Sequence, residues 1–233
     1  MCKLGMKYHH LFKNIHWRKY PRFLSWTALS SGEPFLYLYL SKTHQKEPMR
    51  KVIFAINVTL DGCCDHTKFN PDEETMEYFT DLTQGADTFV YGRETYQLMI
   101  PFWPDLAKNP SGHRKADVEF AQAFDAVEKI IVFSQSLDSP HGEKTTIVRT
   151  GLQDEILKLK QEQGKNILTG GVNIPSQLAE LGLIDEYRFV VHPIVSGEGR
   201  RLFEGISLQQ ASRLKLVDTK VMRSGCVVLR YLK

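Results

Sequence analysis

From Met49 onward the apolar positions keep changing period. "KVIFAINV" (51 to 58) is a nearly unbroken apolar run of strand length, and a polar stretch with helical spacing follows from about Pro71 to Gln84. "DTFVYG" (87 to 92) is again strand-like, and a helix opens at Arg93. A loop rich in Pro and Gly is predicted over 101 to 115, then a short helix near 117 to 126 and the strand "KIIVFS" (129 to 134). After "TTIVR" (145 to 149), Leu152, Ile156 and Leu159 recur on one face of a helix over 152 to 163. "NILT", a helix from about Ile174 to Leu181 and the apolar run "IDEYRFVVHPIV" come next. The pattern then switches to alternation in "SRLKLVDTKVM" and "GCVVLRYL", which read as an antiparallel hairpin around Arg223, Ser224 and Gly225. Repeated β-α units with buried strands predict a three-layer α/β domain, its sheet mostly parallel and made mixed by the hairpin.

Composition adds a boundary. Net charge is +3, but residues 1–48 carry eight Lys or Arg against Glu33 and Glu47, about +6, leaving about −3 for the rest. Residues 1–48 therefore read as a basic extension, either disordered or ahead of the natural start, with the domain at 49–233. No apolar run reaches the roughly 18 residues of a membrane helix. Cys2, Cys63, Cys64 and Cys226 form no C-x-x-C pair, which suits reduced thiols and a cytoplasmic setting. A small-molecule substrate is expected, with no nucleic-acid or membrane partner; monomer and homodimer both remain open.

Several chemistries lack their signatures. There is no G-x-x-x-x-G-K-[ST], and no G-x-G-x-x-G follows the first strand. His141 and Glu143 make the H-x-E half of a zinc-deaminase motif without its cysteine pair, and no metal site is expected. Three strand ends do suit phosphate. "YGRETY" offers Gly92, Arg93 and Thr95 where a helix begins, "VFSQS" places Ser134 and Gln135 past a buried strand, and "NILTGGVNIP" puts Gly170 and Gly171 between strand and helix. Each alone also fits a solvated arginine, a turn serine or a tight turn.

These motifs, with "TLDG" and "GLIDEYRFVVHPIVSGEGRRLF", occur in an order that resembles the dihydrofolate reductase superfamily. The resemblance is to the branch containing the reductase domain of riboflavin-biosynthesis deaminase-reductases, the RibD C-terminal domain, and it covers about Met49 to Lys233. It implies a mixed eight-stranded sheet with NADPH bound across its carboxyl edge. Arg93 and Thr95 would then meet the adenosine-side phosphates, Ser134 with Gln135 would lie near the 2'-phosphate or its ribose, and Gly170, Gly171, Val172 and Asn173 would cradle the pyrophosphate. In that family the Gly-Gly bond is often cis. Ala55 and Ile56 would set backbone against the nicotinamide, with Asn57 and Thr59 toward the substrate.

Two departures bear on the substrate. Riboflavin-pathway reductases carry a glutamate before the glycine pair, where this chain has Thr169. Their arginine-bearing segment after "LDG" reads here "CCDHTKFNPDEETMEYF", with Lys68 as its cation. Glu77 is the candidate for a folate-reductase-like carboxylate and Asp61 for a substrate contact; the alternatives are a solvated helix position and a turn-holding side chain. The expected activity is NADPH-dependent reduction of a small planar conjugated or heteroaromatic substrate, pterin-like or pyrimidine-like. The alternative is a non-catalytic nucleotide-binding or sensor protein on the same fold.

Overall fold

The computed structural model describes residues 49–207 and 213–233. The reading of residues 1–48 as an extension lies outside the described residues.

Eight strands form one sheet: β1 (Val52–Thr59), β2 (Ala86–Gly92), β3 (Lys129–Phe133), β4 (Thr145–Val148), β5 (Asn166–Thr169), β6 (Glu186–His192), β7 (Lys215–Val221) and β8 (Val227–Leu232). Their spatial order is β4-β3-β2-β5-β1-β6-β8-β7. The first six run parallel, and β8 lies antiparallel to both β6 and β7, which confirms the mixed sheet and the terminal hairpin.

Five helices cover the two faces: α1 (Glu73–Gln84), α2 (Arg93–Lys108), α3 (Lys115–Asp125), α4 (Leu152–Gln161) and α5 (Asn173–Glu180). The central strand β1 is buried on both sides, which is why it reads as a continuous apolar run. Ile53 and Ala55 pack with Met76 of α1, Ile100 of α2 and Phe120 of α3. Val52, Phe54, Ile56 and Val58 pack with Ile156 of α4 and Leu178 of α5. Because side chains alternate along a strand, Asn57 and Thr59 continue the row of Ile53 and Ala55 on the α1 face.

One prediction is corrected. The loop expected from 101 is helix as far as Lys108, with Pro101 and Pro104 inside it. A proline inside a helix costs about 3 kcal/mol through its missing N–H and ring clash. Packing offsets this: Tyr96, Ile100 and Leu106 are buried, and Trp103 packs edge-on against Phe120 with ring centroids 4.6 Å apart. The 3-10 turn at His66–Lys68, started by the Asp65 carboxylate accepting from Thr67 N–H, has no counterpart in the expected elements.

β1 and β5 part company before the carboxyl end of the sheet. Their pairing stops at Phe54 opposite Thr169, whereas β1 stays paired with β6 up to Thr59 opposite His192. Beyond Phe54, the β5-facing edge of β1 therefore has no strand beside it, and a step opens at the carboxyl end of the sheet.

Candidate functional site

A crevice of about 300 Å³ lies at that carboxyl edge. Gly92, Arg93 and Thr95 line it from the start of α2, and Gly170, Val172 and Asn173 from the turn into α5. The structure thus brings two of the three phosphate-suited strand ends together. Neither helix has a side-chain cap, since N-cap residues Gly92 and Val172 make no capping hydrogen bond. Two sets of free first-turn N–H groups and two positive dipole ends therefore converge on one space.

The glycine pair is locally determined. Gly171 holds φ at +78°, and a Cβ there would overlap Thr95 Oγ1, so both backbone and space require glycine. A Cβ on Gly170 would meet only ordinary contacts, the nearest being Ala55 carbonyl oxygen at 3.5 Å. Gly170 joins the crevice to the step in the sheet where Ala55 and Ile56 lie, both buried and neither lining the crevice. The cis bond implied by the resemblance is not found: no peptide bond among the described residues is cis, and the turn is made by the positive φ of Gly171.

The third strand end is rearranged. Ser134 Oγ accepts from Ser136 N–H (3.2 Å) and Leu137 N–H (3.0 Å), which makes it the turn holder rather than a crevice-lining group. Gln135 is exposed and outside the lining, its carbonyl accepting from Arg149 Nη1 at 2.7 Å. Ser136 lines the crevice instead, with its hydroxyl accepting from Arg93 Nη1 at 3.1 Å.

Arg200 is a second cationic lining residue beside Arg93, and like Ser136 it was missed by sequence reasoning. It lies in "GEGRRLF", a stretch valued for its glycines, and comes from the loop after β6. Its guanidinium donates to Asn173 Oδ1 and stands 3.7 Å from Glu94 Oε2, spanning the first turns of α5 and α2. Arg93 and Arg200 thus place two guanidinium forks beside two helix N-termini, a donor set suited to a polyphosphate.

The substrate-side candidates are distributed differently. Asp61 accepts from Thr59 Oγ1 (2.6 Å), Ser196 N–H (3.0 Å) and Gly197 N–H (3.0 Å), and its backbone carbonyl accepts from Arg201. The Thr59 hydroxyl, followed by these two N–H groups, holds its carboxyl well below the usual carboxylate range. Two of these bonds run to the loop across from it and one to Thr59 in its own turn, which Thr59 also holds through Oγ1, accepting from Cys63 N–H at 2.9 Å. Thr59 is buried and its hydroxyl is used there, so the substrate contact expected of it is replaced by a turn contact. Glu77 lies with Glu73 and Asp81 on the exposed stripe of α1 and makes no side-chain hydrogen bond among the described residues. Lys68 donates to Glu198 Oε1 at 2.8 Å, tying the loop after β1 to the glycine-rich loop after β6. Thr169 is fully buried, and its hydroxyl donates to the Val90 carbonyl at 2.8 Å inside the sheet. Asn57, by contrast, is half-buried and reaches His192. Among the described residues no three His, Cys, Asp or Glu side chains cluster as metal ligands.

A mixed eight-stranded sheet in this order, with a phosphate-suited crevice at its carboxyl edge, defines the dihydrofolate-reductase-like fold class. Residues 50–229 match the RibD C-terminal domain, and the chain belongs to that family. It is 32% identical over 193 residues to the Uncharacterized protein YyaP of Bacillus subtilis (strain 168), across 78% of this chain and 94% of that one. A pyrimidine reductase-like protein from Corynebacterium diphtheriae NCTC has a similar structure, with a TM-score of 0.55 and 16% identity over 78% of this chain and 91% of that one. So does the diaminohydroxyphosphoribosylaminopyrimidine deaminase/5-amino-6-(5-phosphoribosylamino)uracil reductase of Thermotoga maritima, with a TM-score of 0.56 and 16% identity over 80% of this chain and 57% of that one. No helix among the described residues is long and apolar enough to cross a membrane.

Proposed function

We propose that this protein is an NADPH-dependent reductase acting on a small planar conjugated or heteroaromatic substrate of the pyrimidine or pterin kind. The observation that carries the reading is the convergence of two uncapped helix N-termini with Arg93 and Arg200 on one crevice. A dinucleotide carrying an extra phosphate fits that donor set, since planar guanidinium groups bind phosphate through paired hydrogen bonds. When bound, NADPH supplies the hydride. The first turns of α2 and α5 hold the phosphates, Gly171 lets the turn close against Thr95, and the open edge of β1 at Ala55 and Ile56 offers backbone to the nicotinamide end. Proton transfer is assigned to neither Glu77 nor Asp61, because the first is solvated and the second is held ionised by its hydrogen bonds.

The same two placements favour the second reading, a nucleotide-binding protein without catalysis. Calorimetric titration separates the outcomes. Saturable NADPH binding with turnover in a screen of planar heterocycles supports the reductase, and binding without any NADPH oxidation supports the second reading. Absence of saturable binding overturns both. Arg93→Ala is expected to weaken NADPH about tenfold and NADH less, as loss of a charge-assisted phosphate contact should. Equal losses for the two cofactors would remove Arg93 from the role of selecting NADPH.

A further inference from the structure

We infer that Asn57 recognises the polar edge of the substrate, offering its amide N–H groups to an acceptor such as a ring carbonyl, and that His192 and Cys226 fix the amide in that orientation. The inference deepens the reductase reading and rests on it for the existence of a substrate.

Asn57 stands two residues past Ala55 on the same face of β1, beyond the point where β5 ends. It is half-buried, and its Oδ1 lies 2.9 Å from His192 Nε2 on the adjacent strand β6. The other ring nitrogen, Nδ1, lies 3.3 Å from Cys226 Sγ, just ahead of β8. Phe69 packs on the imidazole with ring centroids 4.7 Å apart. His192 and Cys226 are both at 4% exposure, in an apolar patch with Val190, Met222 and Val228.

Chemistry sets the direction of this chain of contacts. Burial pushes the His192 pKa down, against a smaller opposing effect of Asp72, so the ring is neutral with one N–H and one acceptor nitrogen. In this arrangement Cys226 donates its single S–H to Nδ1, which leaves the proton of the ring on Nε2. That N–H donates to Asn57 Oδ1, and the amide oxygen is thereby consumed. The amide nitrogen then points the opposite way with two unused donors. Nδ2 has no hydrogen-bond partner among the described residues, yet it is not sealed off: Ser176 Oγ is the side-chain atom that is both sealed and unpartnered there. A donor pair that is oriented from behind and open in front suits an acceptor on a planar ring. Three linked polar groups in an otherwise apolar patch are costly unless each is satisfied, and the one group left over is the one that is not sealed off.

Two measurements test this. In protein labelled with 15N-histidine, the imidazole nitrogen shifts of His192 are expected to report the neutral Nε2–H tautomer. The Nδ1–H tautomer would overturn the inference, because Asn57 would then turn its oxygen outward. In NADP+-loaded protein titrated with 5,6-diaminouracil, the Asn57 side-chain amide signals, identified by their loss in Asn57→Ala, are expected to shift in a saturable way. Signals that stay fixed, whether the probe binds elsewhere or not at all, overturn it too. Asn57→Asp keeps an acceptor for His192 but turns a second acceptor outward. It is expected to preserve the tautomer and NADP+ affinity while weakening the probe by about tenfold or more; unchanged probe affinity counts against Asn57. Failure of cofactor binding in the wild type would defeat the reductase reading and the substrate with it, whereas the tautomer, read without cofactor, separately tests the orientation of the amide.

Discussion

Gly171 holds the most constrained backbone of the crevice, and two separate costs meet there. Alanine at 171 must adopt a φ of +78° and must also overlap Thr95 Oγ1. Gly171→Ala is therefore expected to destabilise the fold by about 1–3 kcal/mol, the usual range for strained backbone, and to weaken NADPH. Adding Thr95→Ala removes the overlapping oxygen but not the left-handed φ, so the double variant should recover only part of the lost Tm. Full recovery in thermal melts would show that the backbone contributes nothing. This pair of glycines was legible in the sequence because a doubled glycine between strand and helix has few other uses. The serine contact was not legible. Ser134 and Ser136 are both small polar residues in one turn, and only the turn's own hydrogen bonds decide that Ser134 holds the loop while Ser136 reaches Arg93. Thr169 stands where riboflavin-pathway reductases carry a glutamate, and its hydroxyl is satisfied inside the sheet by β2.

At the scale of elements, His192 links three strands, and its burial makes their packing sensitive to acid. Its folded pKa is depressed below the ordinary 6.5 by desolvation, with Asp72 opposing and the Cys226 thiol in direct contact. The unfolded chain then binds more protons than the folded one in the window beneath 6.5, so stability is present above that pH and is lost as pH falls through it. Asp61, also depressed, contributes stability above its ordinary 3.8 that is lost only below it, in a separate and more acidic window. Thermal melts from neutral pH to about one unit below the ordinary histidine value should show Tm falling with pH, and His192→Gln should flatten that slope. An unchanged slope in the variant would mean that other groups carry the effect. The helices show the same division between local and tertiary causes. α1, α4 and α5 begin and end within two residues of their sequence-predicted limits, because their apolar spacing is regular. α2 outruns its prediction because Trp103 and Leu106 gain packing that the two prolines, judged locally, would forbid.

For the molecule as a whole, a buried ion pair and the candidate crevice lie at opposite edges of the sheet along the strand direction. The amino edge is closed by that ion pair: Arg50 and Asp87, at 3% and 12% side-chain exposure, bond to each other, and Asp87 also accepts from Lys165 N–H at 2.6 Å. Removing one partner strands a buried charge. Asp87→Ala is thus expected to cost roughly 3 kcal/mol, the lower end for a broken buried pair because Glu162 stands 3.7 Å from Arg50. The NADPH dissociation constant should stay unchanged in the folded variant, since the crevice lies at the opposite edge. A matching loss of affinity in calorimetry would show that the two edges are coupled. The sequence by itself determined the strands, most helix limits, the glycine turn and Arg93, because period, turn chemistry and helix starts are written within a few neighbouring residues. Only the tertiary structure decided that Arg200 would reach Asn173, and that Asn57, His192 and Cys226 would form one chain of contacts. Those partners lie far apart in sequence, and they meet because β1 sits between β5 and β6 and β8 folds back beside β6, an order that no local pattern encodes.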